Sequence, residues 1–294
     1  MKAGVQDRIL AMFSWGCALV LVSGLAAVLG FLLVRGAPAL SRELIFGSVA
    51  PLDALLLKRQ VFYGIFPAVA GTVCLVVFSI GTALPVGLCA GIWLAEYAPR
   101  LLKQIFSLVV DILAGIPSIV VGLFGFSITI FLHHFLNNRV FPCLLISALA
   151  LAFLVLPYII KTTQTAMDSL PLALRLTAPS LGASRLENIV HVLVPAALPD
   201  LASGVILAIG RCAEDTAVIM LTGVVATAGI PKSIFSSYEA LPFYIYYTAS
   251  EYADASELVK AYGAALVLLL ICAGLFGLAH LARVWVAHRA RVRT

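Results

Sequence analysis

Five stretches of this sequence, residues 9–34, 60–95, 112–138, 140–160 and 261–282, contain no Asp, Glu, Lys or Arg. A helix that crosses a bilayer needs about 20 consecutive, mainly apolar residues. Each stretch reaches that length. A sixth, 201–231, is equally apolar except for Arg211, Glu214 and Asp215 near its middle. Composition agrees, with 62% hydrophobic and only 11% charged residues, where soluble domains carry about 25% charged. The expected fold class is all-α: a polytopic membrane protein with six transmembrane helices, at about 10–34, 64–95, 105–132, 141–160, 200–225 and 261–282. With no low-complexity linker or charge block in between, residues 1–294 read as a single transmembrane domain, and 161–199 as its longest loop on the side of the termini.

The first run follows Lys2 and Arg8, as a secretory signal would. It exceeds the roughly 7–15 residues of a signal's apolar region, and no small-residue cleavage site follows at Arg35, so it reads as a retained span. Six spans put both termini on one side. That side holds eleven basic residues, including Arg283, Arg289, Arg291 and Arg293 in the tail, against seven on the other. The imbalance predicts cytoplasmic termini in a multi-pass inner-membrane protein. The arginine-rich tail is read as a stop signal beside anionic lipid, not as a nucleic-acid site. The six cysteines stand singly in apolar segments, without metal or disulfide spacing.

Pro67 and Pro85 lie in the second run, which can either span with tilt or contain a break. Gly87 and Gly91 form a GxxxG there, which permits close helix approach. The aromatic stretch 241–247 suits an interfacial belt or, alternatively, a docking surface for an outside partner.

The most informative chemistry is Arg211, Glu214 and Asp215. One ionised side chain at mid-membrane costs roughly 2.5–3.5 kcal/mol, so three must be paired or wet. On a helix Arg211 reaches Glu214 at i,i+3 and Asp215 at i,i+4. Two readings stand: an ion pair that fixes helix packing, or a site lining a water-filled path. For the second, arginine suits an oxyanion, because its charge is permanent and its forked donors match phosphate oxygens. The carboxylates would hold the arginine between cycles. Lys161, at the end of the fourth run, reads alone as a snorkelling interfacial lysine. Asp111 reads as a capping or packing residue near the membrane surface, or as a transport residue. Neither the P-loop GxxxxGK[ST] nor HExxH occurs. The chain is therefore expected to have no enzymatic activity of its own.

The segment Leu176-Thr177-Ala178, then Gly182, then 192–195 ending in Pro195, has the spacing of a loop found in bacterial ABC importer permeases: EAA, three residues, Gly, nine residues, then Ile-x-Leu-Pro. The strings 91–99 (GIWLAEYAP), 111–124 (DILAGIPSIVVGLF) and 156–163 (LPYIIKTT), with 231–235 and 240–242, resemble the phosphate-specific ABC permeases of the PstA type. The resemblance runs from about residue 64 to the tail. It departs from the family's pattern at Leu176 (usually Glu), Thr177 (Ala), Glu214 (Gly), Asp215 (Glu) and Lys161 (Arg).

The resemblance implies the MetI-like ABC importer permease fold and transport of inorganic phosphate by alternating access. It implies a substrate path of Arg211, Lys161, Glu214, Asp215 and Thr216, and an ATPase coupling loop carrying Arg175, Leu176, Thr177, Ala178, Gly182, Arg185 and Pro195. Expected partners are a second permease of the PstC type, two copies of a PstB-type ATPase and a phosphate-binding protein outside. No cofactor is expected in this chain; ATP and Mg would be used by the ATPase. The alternatives are a permease for another oxyanion, or a regulatory membrane homologue that does not transport.

Overall fold

The computed structural model describes residues 3–51, 53, 64–135 and 141–292. Of the basic residues counted above, Lys2, Lys58, Arg59, Arg139 and Arg293 lie outside the described residues, as do the side chains of Arg289 and Arg291. Among the described residues the regular structure is helical, apart from one isolated backbone bridge between Val224 and Tyr238.

Among the described residues, six helical segments are long and apolar enough to cross a membrane. The first, α1 (Ala3–Gly36), is uncharged through its centre and exposed along nearly its whole length. After the short α2 (Arg42–Phe46), whose N-cap Ser41 accepts the Leu44 N–H, comes α3 (Phe66–Glu96). It is a single continuous helix: Pro67 sits in its first turn, where a missing N–H costs nothing, and Pro85 is carried inside it.

The expected span at 105–132 is divided in two. An amphipathic α4 (Arg100–Ala114) ends at Gly115, and α5 (Ser118–Phe135) begins beyond Pro117. The reason is local, since proline supplies no N–H and disfavours helical backbone in the residue before it, here Ile116. Helix α6 (Leu144–Asp168) is the most buried span and forms the centre of the bundle. It lies directly against α3. A Cβ on Gly87 would fall 2.6 Å from Ile159 Cγ2, and one on Gly91 2.5 Å from Thr163 Cβ. The GxxxG is thus the surface by which α3 meets α6.

Two short helices follow, α7 (Leu172–Ser180) and α8 (Arg185–Asn188). Gly182 turns between them at a φ of 87°, a conformation that favours glycine. Ser184 and Glu187 then form a reciprocal capping box. A π-helical turn, Ile189–Leu193, leads into α9 (Val194–Glu214).

The expected span at 200–225 also ends early. Backbone at Asp215 is extended, and its carboxylate accepts the Val218 N–H at 2.9 Å, opening the short α10 (Ala217–Thr222). The three charges therefore stand at a helix end, not in the middle of a span. The chain after α10 packs back into the bundle. Leu144 and Leu145 donate backbone N–H groups to Ser236 and Ile234, and Tyr238 is completely buried. The aromatic stretch 241–247 opens α11 (Leu241–Glu251), tied to α3 by Leu241 N–H donating to Thr72 Oγ1 at 2.8 Å. Helix α12 (Ala255–Val292) closes the bundle against α9, α11 and α1.

Candidate functional site

The Arg211 cluster is placed by packing on both sides. Cys212 and Ala213 are buried in the main core, and a Cβ on Gly210 would meet Phe276 of α12 at 2.5 Å. That leaves Arg211 on the remaining face of the last turn of α9, where the helix dipole favours a cation. Its guanidinium is shared: Nη2 lies 3.1 Å from Asp215 Oδ2, and Nη1 lies 3.2 Å from Glu214 Oε1. Both predicted pairs form. Arg211 is 35% exposed, Glu214 62% and Asp215 only 2%. Thr216, half-buried, is the N-cap of α10 and makes no side-chain capping bond.

Lys161 is held elsewhere. Its Nζ sits 2.8 and 2.9 Å from the two carboxylate oxygens of Asp111 on α4. A Cβ on Gly204 would touch Thr162 Oγ1, so Lys161 is level with that part of α9. Arg211 lies seven residues further along α9, roughly 10 Å at about 1.5 Å per residue. The two cations thus stand at different heights along the bundle, Lys161 with one carboxylate and Arg211 with two.

The third group is the loop carrying α7 and α8. Arg175 pairs with Glu96 at the end of α3 and donates to the Met167 carbonyl. Arg185 donates to the Glu96 carbonyl and lies over the Tyr97 ring, 4.8 Å from its centroid. Asn188 closes the arrangement by donating to the Arg175 carbonyl at 2.9 Å. Pro195 lies in the first turn of α9, and Ala178 is half-buried. Leu176 and Thr177, this loop's two departures from the family's pattern, are exposed, as are Leu181, Leu186 and Val190. The loop is thus clamped to α3 while an apolar face points outward.

Glu96 and Asp111 are the residues that sequence reasoning did not resolve. Each lies far along the chain from its partner, with separations of 79 and 50 residues. Their only signal is that each is an isolated acid at the edge of an uncharged run.

At the opposite end of the bundle a cavity of about 590 Å³ is lined by Glu239, Tyr244, Tyr247, Glu251, Glu257 and Lys260, among others. Burial raises the Glu239 carboxyl above its ordinary range, partly offset by the Gly229 N–H it accepts at 2.7 Å.

Six apolar spans, an ion-paired arginine at a helix break and a helical loop clamped to one end of the bundle together make a membrane permease, a translocation component. Residues 87–291 match the family described as the binding-protein-dependent transport system inner membrane component, and the chain belongs to that family. It is the permease subunit of an ABC importer. It is 30% identical over 285 residues to the phosphate transport system permease protein PstA of Mycobacterium leprae, covering 95% of this chain and 90% of that protein. It is 32% identical over 234 residues to the probable ABC transporter permease protein YqgH of Bacillus subtilis, covering 77% and 74%. The fold is similar to an inward-facing chain of the MetNI methionine ABC transporter, with a TM-score of 0.52 at 19% identity over 82% of this chain and 99% of that one. The MetI-like fold expected from the sequence is the one found.

Proposed function

We propose that this chain moves inorganic phosphate across the cytoplasmic membrane by alternating access, as one half of a permease pair. The observation that carries the reading is Arg211, a partly exposed guanidinium at the break between α9 and α10, packed in place from both sides. Its permanent charge and forked donors suit an oxyanion that has to shed water. The likeness to relatives named for phosphate transport supports the substrate.

In this reading Arg211 and Thr216 contact the anion, Asp215 and Glu214 balance the guanidinium between cycles, and Lys161 offers a second cation roughly 10 Å nearer the α7–α8 end, at about 1.5 Å per helical residue. That end and both termini face the cytoplasm. The exposed apolar face of α7 and α8 docks on an ATPase subunit, which binds ATP and Mg. Clamped to Glu96 and Tyr97, the loop passes nucleotide-driven motion into α3. A second permease of the PstC type, two PstB-type ATPase copies and an external phosphate-binding protein complete the importer.

The test is uptake of labelled phosphate by the complete complex in proteoliposomes. Arg211→Ala is expected to abolish it, and unchanged uptake would overturn the reading. Competition by sulfate or molybdate as strong as by unlabelled phosphate would assign the path to another oxyanion.

A further inference from the structure

The two carboxylates beside Arg211 are built differently. Asp215 is buried and uses both oxygens, Oδ1 to accept the Val218 N–H at 2.9 Å and Oδ2 to meet Arg211 Nη2 at 3.1 Å. Moving it would strand a buried charge and undo the start of α10, so it positions the guanidinium. Glu214 is 62% exposed and meets Arg211 Nη1 through Oε1 alone, at 3.2 Å.

A guanidinium offers its donors in a fixed fork. The buried Asp215 takes one donor of Nη2, and the exposed Glu214 takes one donor of Nη1. A carboxylate has only acceptors, so it repels an arriving anion and gives it no hydrogen bond. Nη1 keeps a second N–H, but two like charges at one nitrogen repel, so the anion and the Glu214 carboxylate compete there. Exposed ion pairs are weak, because solvent screens them and long side chains lose entropy in holding one geometry. Glu214 can thus swing away, and Asp215 cannot.

We propose that Glu214 is a tethered competitor of the transported anion: it occupies Nη1 of Arg211 when the site is empty, yields it when the anion binds, and returns to help expel it. The proposal rests on the reading of Arg211 as the anion contact. It gives the two acids separate duties, Asp215 setting where the arginine is and Glu214 setting how tightly it binds.

The test is equilibrium dialysis of labelled phosphate against the purified complex without its binding protein, so that the permease site is read directly. Glu214→Gln and Glu214→Ala are each expected to bind phosphate about two- to five-fold more tightly than wild type, the factor corresponding to an exposed pair. Both variants should unfold at the wild-type temperature, whereas Asp215→Asn should lose both binding and thermal stability. Tighter binding by the glutamine variant alone would credit its new amide donor and overturn the competitor role. So would unchanged or weaker binding in both variants while Arg211→Ala abolishes it. Equal binding by wild type and Arg211→Ala would instead overturn the reading of Arg211 itself, and no phosphate binding by wild type or either Glu214 variant would overturn both.

Discussion

Arg175 reaches back across 79 residues to pair with Glu96, whose side chain is only 8% exposed. Breaking a buried pair from one side strands the other charge and costs about 3–5 kcal/mol. Arg175 retains some exposure, so the lower end applies. Glu96→Ala is expected to lower the unfolding temperature and to cut the proposed phosphate uptake, and Arg175→Ala to do both at least as severely, because it strands the more buried Glu96 and also loses the Met167 contact. In the complete complex the ratio of phosphate moved to ATP hydrolysed should fall. A normal ratio in both variants would leave the clamp a purely structural device.

The contact between α3 and α6 is testable at one methyl group. A Cβ at Gly91 would lie 2.5 Å from Thr163 Cβ and 2.8 Å from the Ile160 carbonyl oxygen, and backbone cannot move aside as a flexible side chain can. Gly91→Ala is expected to destabilise the protein by about 1–3 kcal/mol through overpacking. Gly81, on the same helix, has nothing within 4 Å of its Cβ position. There alanine should be neutral or slightly stabilising, because it gains up to about 1 kcal/mol of helix propensity. Thermal unfolding of the two variants side by side checks the difference.

These contacts also show what was legible in the sequence. The six spans were, because hydropathy over about 20 residues is a local quantity. The pairing of Arg211 with Glu214 and Asp215 was, because i,i+3 and i,i+4 neighbours share a helix face whatever the rest of the chain does. The breaks at Gly115–Pro117 and Asp215 were harder, since run length continues across both, and only the capping bond that Asp215 accepts from the Val218 N–H and the backbone limits at Pro117 mark the ends of the helices. Lys161 with Asp111, and the two arginines on the 96–97 corner, depend on how helices are arranged in space. No local pattern encodes that.

The Lys161–Asp111 pair is exposed on both sides, with side chains 44% and 54% accessible. An exposed pair contributes about 0.2–1 kcal/mol. A double-mutant cycle with Asp111→Asn and Lys161→Gln should therefore give a coupling energy in that range, with little change in unfolding temperature for either single variant. If Lys161 serves the anion path, Asp111→Asn keeps uptake while Lys161→Gln reduces it. Equal loss in both would assign the pair to packing α4 against α6.

Glu239 gives the cavity at the end of the bundle away from α7 and α8 a pH dependence whose sign can be worked out. Burial raises its folded-state pKa above the ordinary value of 4.5, with the Gly229 N–H opposing the shift, so the folded protein favours the neutral acid more than the unfolded chain does. Its stabilising contribution is fully present below the ordinary value and is lost as pH rises through the raised one. Glu239→Gln stays neutral, and its amide oxygen can still accept from Gly229, so the variant should lack this loss. Measured by thermal unfolding from pH 4.5 upwards, wild type is expected to fall progressively below the variant and then run parallel to it once Glu239 is fully ionised. A constant offset across the whole range would mean that Glu239 titrates alike in the folded and the unfolded chain, and that burial in the cavity does not shift it.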